Sequence, residues 1–161
     1  MINNRNKQLR FSVICCCYNS EKYILETLLS IKNQSYKNYE IIIVNDGSKD
    51  NTSNIINGVK KIMNINKNIK IITTNSKNNV IYAYNKKIKK IKPPKIKVKN
   101  ENGAGDALAG MMLYLLSKGY SEDEILKYSV ACGSYYASGK KLNSKKDLVK
   151  IKNISRKIII K

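Results

Sequence analysis

Apolar residues follow two rhythms along this chain. In the first third, unbroken runs alternate with stretches in which an apolar residue returns every third or fourth position. Val13-Ile14-Cys15-Cys16-Cys17 and Ile41-Ile42-Ile43-Val44 are such runs, and Ile69-Lys70-Ile71-Ile72-Thr73 reads as a short third strand. Runs this continuous suit strands buried on both faces of a parallel sheet. Between the first two runs, Ile24, Leu25, Leu28, Leu29 and Ile31 keep helical spacing, and Ser20 stands where an N-cap belongs. Asp50-Asn51-Thr52-Ser53 opens a second helix, with Ile55, Ile56, Val59, Ile62 and Met63 as its inward stripe. Strand, helix, strand, helix, strand predicts an α/β fold: a three-layer α/β/α sandwich on a mainly parallel, Rossmann-like sheet.

The second half is less regular. The pattern predicts a loop over 75–80 and a basic helix from Ile81 to Ile91. Pro93-Pro94 breaks the chain, because proline cannot continue a helix and extends the residue before it. Lys95-Ile96-Lys97-Val98-Lys99 alternates, which predicts an edge strand at Ile96–Val98. Gly103-Ala104-Gly105-Asp106 then leads into a helix with Leu108, Met111, Met112, Leu115 and Leu116 as its core stripe. Ser121-Glu122-Asp123-Glu124 opens another helix with an acidic first turn and the spacing of a capping box. Ala131 to Ala137 is rich in small residues, and 141–161 is a Lys-rich tail ending in Ile158-Ile159-Ile160. Three segments are expected: 10–92, 95–140 and the basic tail 141–161, with a loose polar start before them.

Composition changes the picture only in part. Lys and Arg number 31 against 11 Asp and Glu in 161 residues, a formal charge of +20. The basic residues are spread over the whole chain, without the clustering and aromatic interleaving of a nucleic-acid reader, so no specific nucleic-acid partner is expected. The four cysteines include no C-x-x-C pair, and histidine is absent, which argues against a zinc site. Free thiols suggest a reducing, cytoplasmic setting. No apolar run is long enough to cross a bilayer, so any membrane contact is expected to be peripheral.

The strand ends carry the candidate chemistry. In open α/β sheets ligands collect beyond the carboxyl ends of the strands, and Tyr18-Asn19 and Asn45-Asp46-Gly47-Ser48 stand there. VICCCYNSEKYILETLLSIKNQSYKNYEIIIVNDGSKDNT, with Tyr18-Asn19, Gln34-Ser35-Tyr36 and Val44-Asn45-Asp46-Gly47-Ser48 in order, resembles the opening of family 2 glycosyltransferases of GT-A fold. The resemblance implies a nucleotide-sugar, UDP-sugar in type, bound by Tyr18, Asn19, Asp46, Gly47 and Ser48. Tyr18 would support the base and Asp46 would accept from its ring N–H. Asn45 replaces the more usual Asp. The acidic metal motif that follows in that family is missing: from Ile81 to Glu101 the only acid is Glu101. A divalent Mn or Mg ion, which transfer in that family uses, therefore has no evident ligands here.

The stretch KVKNENGAGDALAGMMLYLLSKGYSEDEILKYSVACGSYYA is similar instead to the C-terminal segment of ribokinase-like (PfkB-type) sugar and nucleoside kinases. That resemblance implies ATP as partner, an anion site at the amides of Gly103, Ala104 and Gly105, and Asp106 as the catalytic base that takes the proton of the acceptor hydroxyl. A glycine turn capping an amphipathic helix would give the same four residues. Three readings stand: a glycosyltransferase-like nucleotide-sugar binder, a kinase fragment acting through Asp106, and a non-catalytic composite of two incomplete enzyme domains. If Gly103 to Asp106 lies near Asp46, one cleft serves both motifs.

Overall fold

A computed structural model describes residues 10–62, 69–74, 79–85, 87–100 and 102–161, the side chains of 59–62 apart. Among these are six strands and five helices: β1 (Phe11–Cys17), α1 (Ile24–Lys32), β2 (Tyr39–Asp46), α2 (Thr52–Ile62), β3 (Ile69–Thr74), β4 (Val80–Tyr84), β5 (Lys87–Lys92), α3 (Ala104–Ser117), α4 (Glu122–Ala137), α5 (Lys145–Ser155) and β6 (Ile159–Ile160). The strands form one sheet in chain order, β1-β2-β3-β4-β5-β6. The pairings β1 with β2 and β2 with β3 are parallel, and the later ones are antiparallel.

Because β1, β2 and β3 step across the sheet in one direction, right-handed crossovers place α1 and α2 on the same face. Ile41 and Ile43 turn towards them with Ile69, Ile71, Ile24, Leu28 and Ile56. The alternate residues Ile42 and Val44 turn the other way, with Ile72, Tyr82 and Ile91, into a larger core under α3, α4 and α5. Ile41 to Val44 are each at most 1 % exposed, as a strand covered on both faces requires. This is the expected three-layer α/β/α sandwich. One core holds residues of both the 10–92 and the 95–140 stretches.

Several elements differ from expectation. The segment from Ile81 to Ile91 is an antiparallel hairpin rather than a helix, with Val80 opposite Ile91 and Tyr82 opposite Lys89. Val80, Tyr82 and Ile91 bury one face while Ile81, Ile88 and Lys90 stay exposed, a period of two that the lysines hide. The reversal uses Asn85 at φ 47°, a left-handed conformation that Asn tolerates. The strand expected at Ile96–Val98 does not form; 93–98 is an irregular crossing. The amides of Lys99 and Asn100 are spent on the Ala137 carbonyl at the end of α4, 2.9 and 3.1 Å away.

Helix α1 begins at Ile24 behind a turn. The Ser20 carbonyl accepts from Tyr23 and Ile24 amides, and no side chain caps the helix, so Ser20 is not its N-cap. Leu25 and Leu29 lie on its exposed side, 46 % and 38 % accessible, while Ile24 and Leu28 carry the packing. The expected stripe residues Val59, Ile62 and Met63 of the second helix lie outside the described side chains, as do Met1 to Leu9, Glu101 and most of the loop before β4. The Lys-rich 141–161 stretch forms α5 and β6, and its Ile151 and Ile158 are buried in the larger core. Among the described residues no helix is long and apolar enough to cross a membrane.

Candidate functional site

The loops that follow β1 and β2 are laced together by side-chain to backbone bonds. The Asn19 amide donates to Ser48 Oγ (2.9 Å) and the Lys49 amide to Asn19 Oδ1 (2.9 Å). Ser20 N donates to Thr52 Oγ1 (2.8 Å), Glu21 N to Asp50 Oδ2 (3.0 Å) and Asn51 N to Glu21 Oε2 (2.9 Å). Left-handed turns at Asn19 (φ 47°) and Gly47 (φ 71°) let the two loops face each other. Asn45, 1 % exposed, donates to Ser53 Oγ and accepts from the Ser48 amide. A carboxylate there could accept but not donate to Ser53. The Asn that departs from the family pattern thus ties the β2 loop to α2. Asn19, Gly47 and Ser48 build this scaffold.

Asp46 takes the position next to the scaffold. Thr74, the last residue of β3, donates its hydroxyl to Asp46 Oδ1 at 2.5 Å and fixes the carboxylate. The N-terminus of α3 closes over the other oxygen: a Cβ on Gly105 would lie 2.8 Å from Asp46 Oδ2 and 2.9 Å from its Cγ. Only glycine lets the helix come this near. The first-turn amides of α3 have no intrahelical acceptors, so the helix start beside Asp46 carries partial positive charge. Gly103, at φ 79°, is the uncapped N-cap and lies against the Tyr136 ring. The carbonyl of Ala104 packs on Gly133 of α4, where a Cβ would come within 3.0 Å.

One pocket of about 200 Å³ results, lined by Cys16, Cys17, Tyr18, Val44, Asp46, Gly105 and Asp106. Tyr18 stands 58 % exposed at its mouth. Desolvation and the neighbouring Asp106 carboxylate push the Cys16 thiol up to about 11, so it is protonated near neutrality. Burial pushes Cys17 up to about 12. Tyr18, Asp46, Gly105 and Asp106 are therefore brought together, whereas Asn19, Gly47, Ser48, Gly103 and Ala104 support them from behind. Sequence reasoning missed Thr74 and Cys16. Thr74 carries no motif, and its signal is only its place at the end of a strand neighbouring β2.

Among the described residues no three His, Cys, Asp or Glu side chains are grouped so as to hold an ion. The pocket offers two carboxylates and a protonated thiol.

A parallel α/β unit with its pocket beyond the strand ends has the form in which open α/β sheets bind ligands. Residues 12–96 match the family described as Glycosyl transferase family 2, and the chain belongs to that family. It is 50 % identical over 62 residues to a glycosyltransferase of Haemophilus influenzae, covering 38 % of this chain and 18 % of that protein. It is 39 % identical over 62 residues to the poly-beta-1,6-N-acetyl-D-glucosamine synthase of Staphylococcus epidermidis, covering 38 % of this chain and 15 % of the synthase. The match thus spans less than a fifth of either relative. In fold, the chain resembles phosphofructokinase-2 from Escherichia coli, with a TM-score of 0.57 at 16 % identity over 82 % of this chain and 52 % of the kinase. It also resembles adenosine kinase from Schistosoma mansoni, with a TM-score of 0.52 at 19 % identity over 66 % and 37 % of the two chains. The likeness to these kinases is one of fold, and the family 2 unit is built into the same sheet as the later strands.

Proposed function

We propose that the chain binds a nucleoside-diphosphate sugar, with the base end in the pocket beyond β1 and β2. The carrying observation is the approach of Gly105 to Asp46, which encloses the family's strand-end loop with a helix start in a single pocket. The exposed face of Tyr18 supports a flat base, and Asp46, steadied by Thr74, accepts from a ring N–H. A pocket of about 200 Å³ is smaller than the roughly 300–1,000 Å³ of whole-ligand sites, so it holds one end of such a ligand. Two carboxylates repel phosphate at short range, so the neutral end enters and the diphosphate lies outside.

A second reading rests on Asp106, which lines the same pocket and could take a proton from a sugar hydroxyl while ATP supplies the phosphoryl group. Calorimetric titration with UDP, UDP-sugars and ATP separates the two. Binding of UDP that falls at least tenfold in Asp46→Asn and is kept in Asp106→Asn supports the first. ATP-dependent phosphorylation of a sugar, lost in Asp106→Asn, transfers the assignment to the second. No binding of any of these ligands leaves a non-catalytic composite and removes both.

A further inference from the structure

Among the described residues, the antiparallel half of the sheet leaves one face largely uncovered. Helices α1 and α2 pack on β1, β2 and β3 through Ile41, Ile43, Ile69 and Ile71, and the sheet continues past them. Opposed pairs fix which residues share that face: Ile71 with Ala83, Thr73 with Ile81, Ile81 with Lys90, Ala83 with Ile88, and Lys92 with Ile159. Lys161 joins them, since it exchanges both backbone hydrogen bonds with Lys90 at 2.9 Å. Three isoleucines stand out on this surface, Ile81 at 41 %, Ile88 at 67 % and Ile159 at 54 % exposure. Beside them Lys90, Lys92 and Lys161 are exposed.

None of the described residues of β3, β4, β5 and β6 is acidic. The contrast with the other face is direct. There Lys89, next along the same strand, is held by Glu122 and Asp123 of α4 at 2.5 and 2.7 Å. The outward lysines of β5 therefore add to the +20 charge of the chain at a place that also exposes isoleucine. A second copy of this chain would set like charges against one another here. A single-stranded nucleic acid would want aromatic platforms, and Tyr82 and Tyr84, the aromatics of this hairpin, point to the opposite face, where they pack on the larger core.

We propose that this face docks on an anionic lipid bilayer, the isoleucines entering the headgroup boundary and the lysines meeting lipid phosphates and carboxylates. Buried apolar area and attraction to anionic lipid act together in interfacial binding, and this face offers both. It lies on strands other than β1 and β2, so the pocket and the bilayer can be engaged independently.

Cosedimentation of the whole protein with vesicles of phosphatidylcholine, with and without about a third phosphatidylserine, tests the assignment. Binding is expected only to the anionic vesicles. It should fall on the order of 100-fold in K90Q/K92Q/K161Q, since each lysine contributes separately near a charged surface. Ile88→Ser, which leaves the charge unchanged, should also weaken it. A charge-matched control, K22Q/K32Q/K152Q, should retain most of the binding. Equal loss in the two triple variants would mean that total charge alone is responsible and would overturn the proposal. So would binding to zwitterionic vesicles that Ile88→Ser leaves untouched, or binding of a single-stranded oligonucleotide, without vesicle binding, that the first triple variant abolishes. Far-ultraviolet circular dichroism of each variant checks that the sheet is retained.

Discussion

Gly105 carries more of the site than its size suggests. It is the point at which α3 meets the carboxylate of Asp46, and a methyl group there would lie 2.8 Å from Oδ2. Thr74 holds the opposite oxygen, so the carboxylate has little room to retreat. Gly105→Ala should therefore destabilise the fold by about 1–3 kcal/mol, the usual cost of overpacking, and reduce UDP binding with it. Urea unfolding measures the first and calorimetry the second. A variant as stable as the parent, with unchanged binding, would mean that α3 does not close on Asp46. Tyr18, Asp46 and Asp106, which line the pocket, each stand out in the sequence because they sit in a short motif. Thr74 does not. Its bond reaches across 28 positions to a neighbouring strand, and only parallel pairing at Asp46–Thr74 brings the two side by side. Cys16 was read as core, yet it lines the pocket because β1 ends the sheet and leaves that residue exposed.

Among the elements, β2 and α4 carry a dominant local signal and were read correctly, whereas β1, an edge strand, is covered less than its apolar run demands. The run Ile41 to Val44 demanded cover on both faces, and β2 received it. The capping box of α4 was also plain: Ser121 accepts from the Glu124 amide, and the Glu124 carboxylate accepts from the Ser121 amide at 3.1 Å. Ser121→Ala removes that acceptor and should cost about 1 kcal/mol in chemical denaturation, since a capping hydroxyl satisfies an otherwise orphan amide. A loss below a few tenths would show that solvent serves the helix start equally well. The hairpin of β4 and β5 was misread for a physical reason. Lysine at 87, 89, 90 and 92 lets Ile88 and Ile91 fit helical spacing, and the decisive features are tertiary. Tyr82 donates its hydroxyl to Glu122, and Lys89 pairs with the same carboxylate, so α4 selects the strand conformation. The strand expected at Ile96–Val98 failed for a similar reason, its following amides being drawn to the end of α4.

At the scale of the whole molecule, the parallel half of the sheet is tied by a charged group that its sequence does not advertise. Glu40 of β2, 6 % exposed, accepts from Ser12 Oγ of β1 at 2.8 Å, from Lys70 Nζ of β3 at 2.9 Å and from Arg10 at 3.4 Å. Burial pushes its carboxyl up, but the hydrogen bonds from Lys70 and Ser12 and the charges of Lys70 and Arg10 outweigh it and hold it below the ordinary range. A carboxyl lowered by folding stabilises the native state above its unfolded value of about 4.5, and that contribution is lost as pH falls through the folded value. Acid also raises the net positive charge of a chain that already carries 31 basic residues, which destabilises any variant alike. Comparison with Glu40→Gln cancels this common effect. Near neutrality the parent should be the more stable by about 2 kcal/mol, below the 3–5 kcal/mol of a fully buried broken pair because Lys70 keeps some access to water. Between pH 5 and pH 3, going down, the difference should shrink as Glu40 takes up its proton. Thermal unfolding of both proteins across that range decides the matter: a difference that stays constant with pH would show that Glu40 acts through shape and neutral hydrogen bonds, and that its charge does not hold the three parallel strands together.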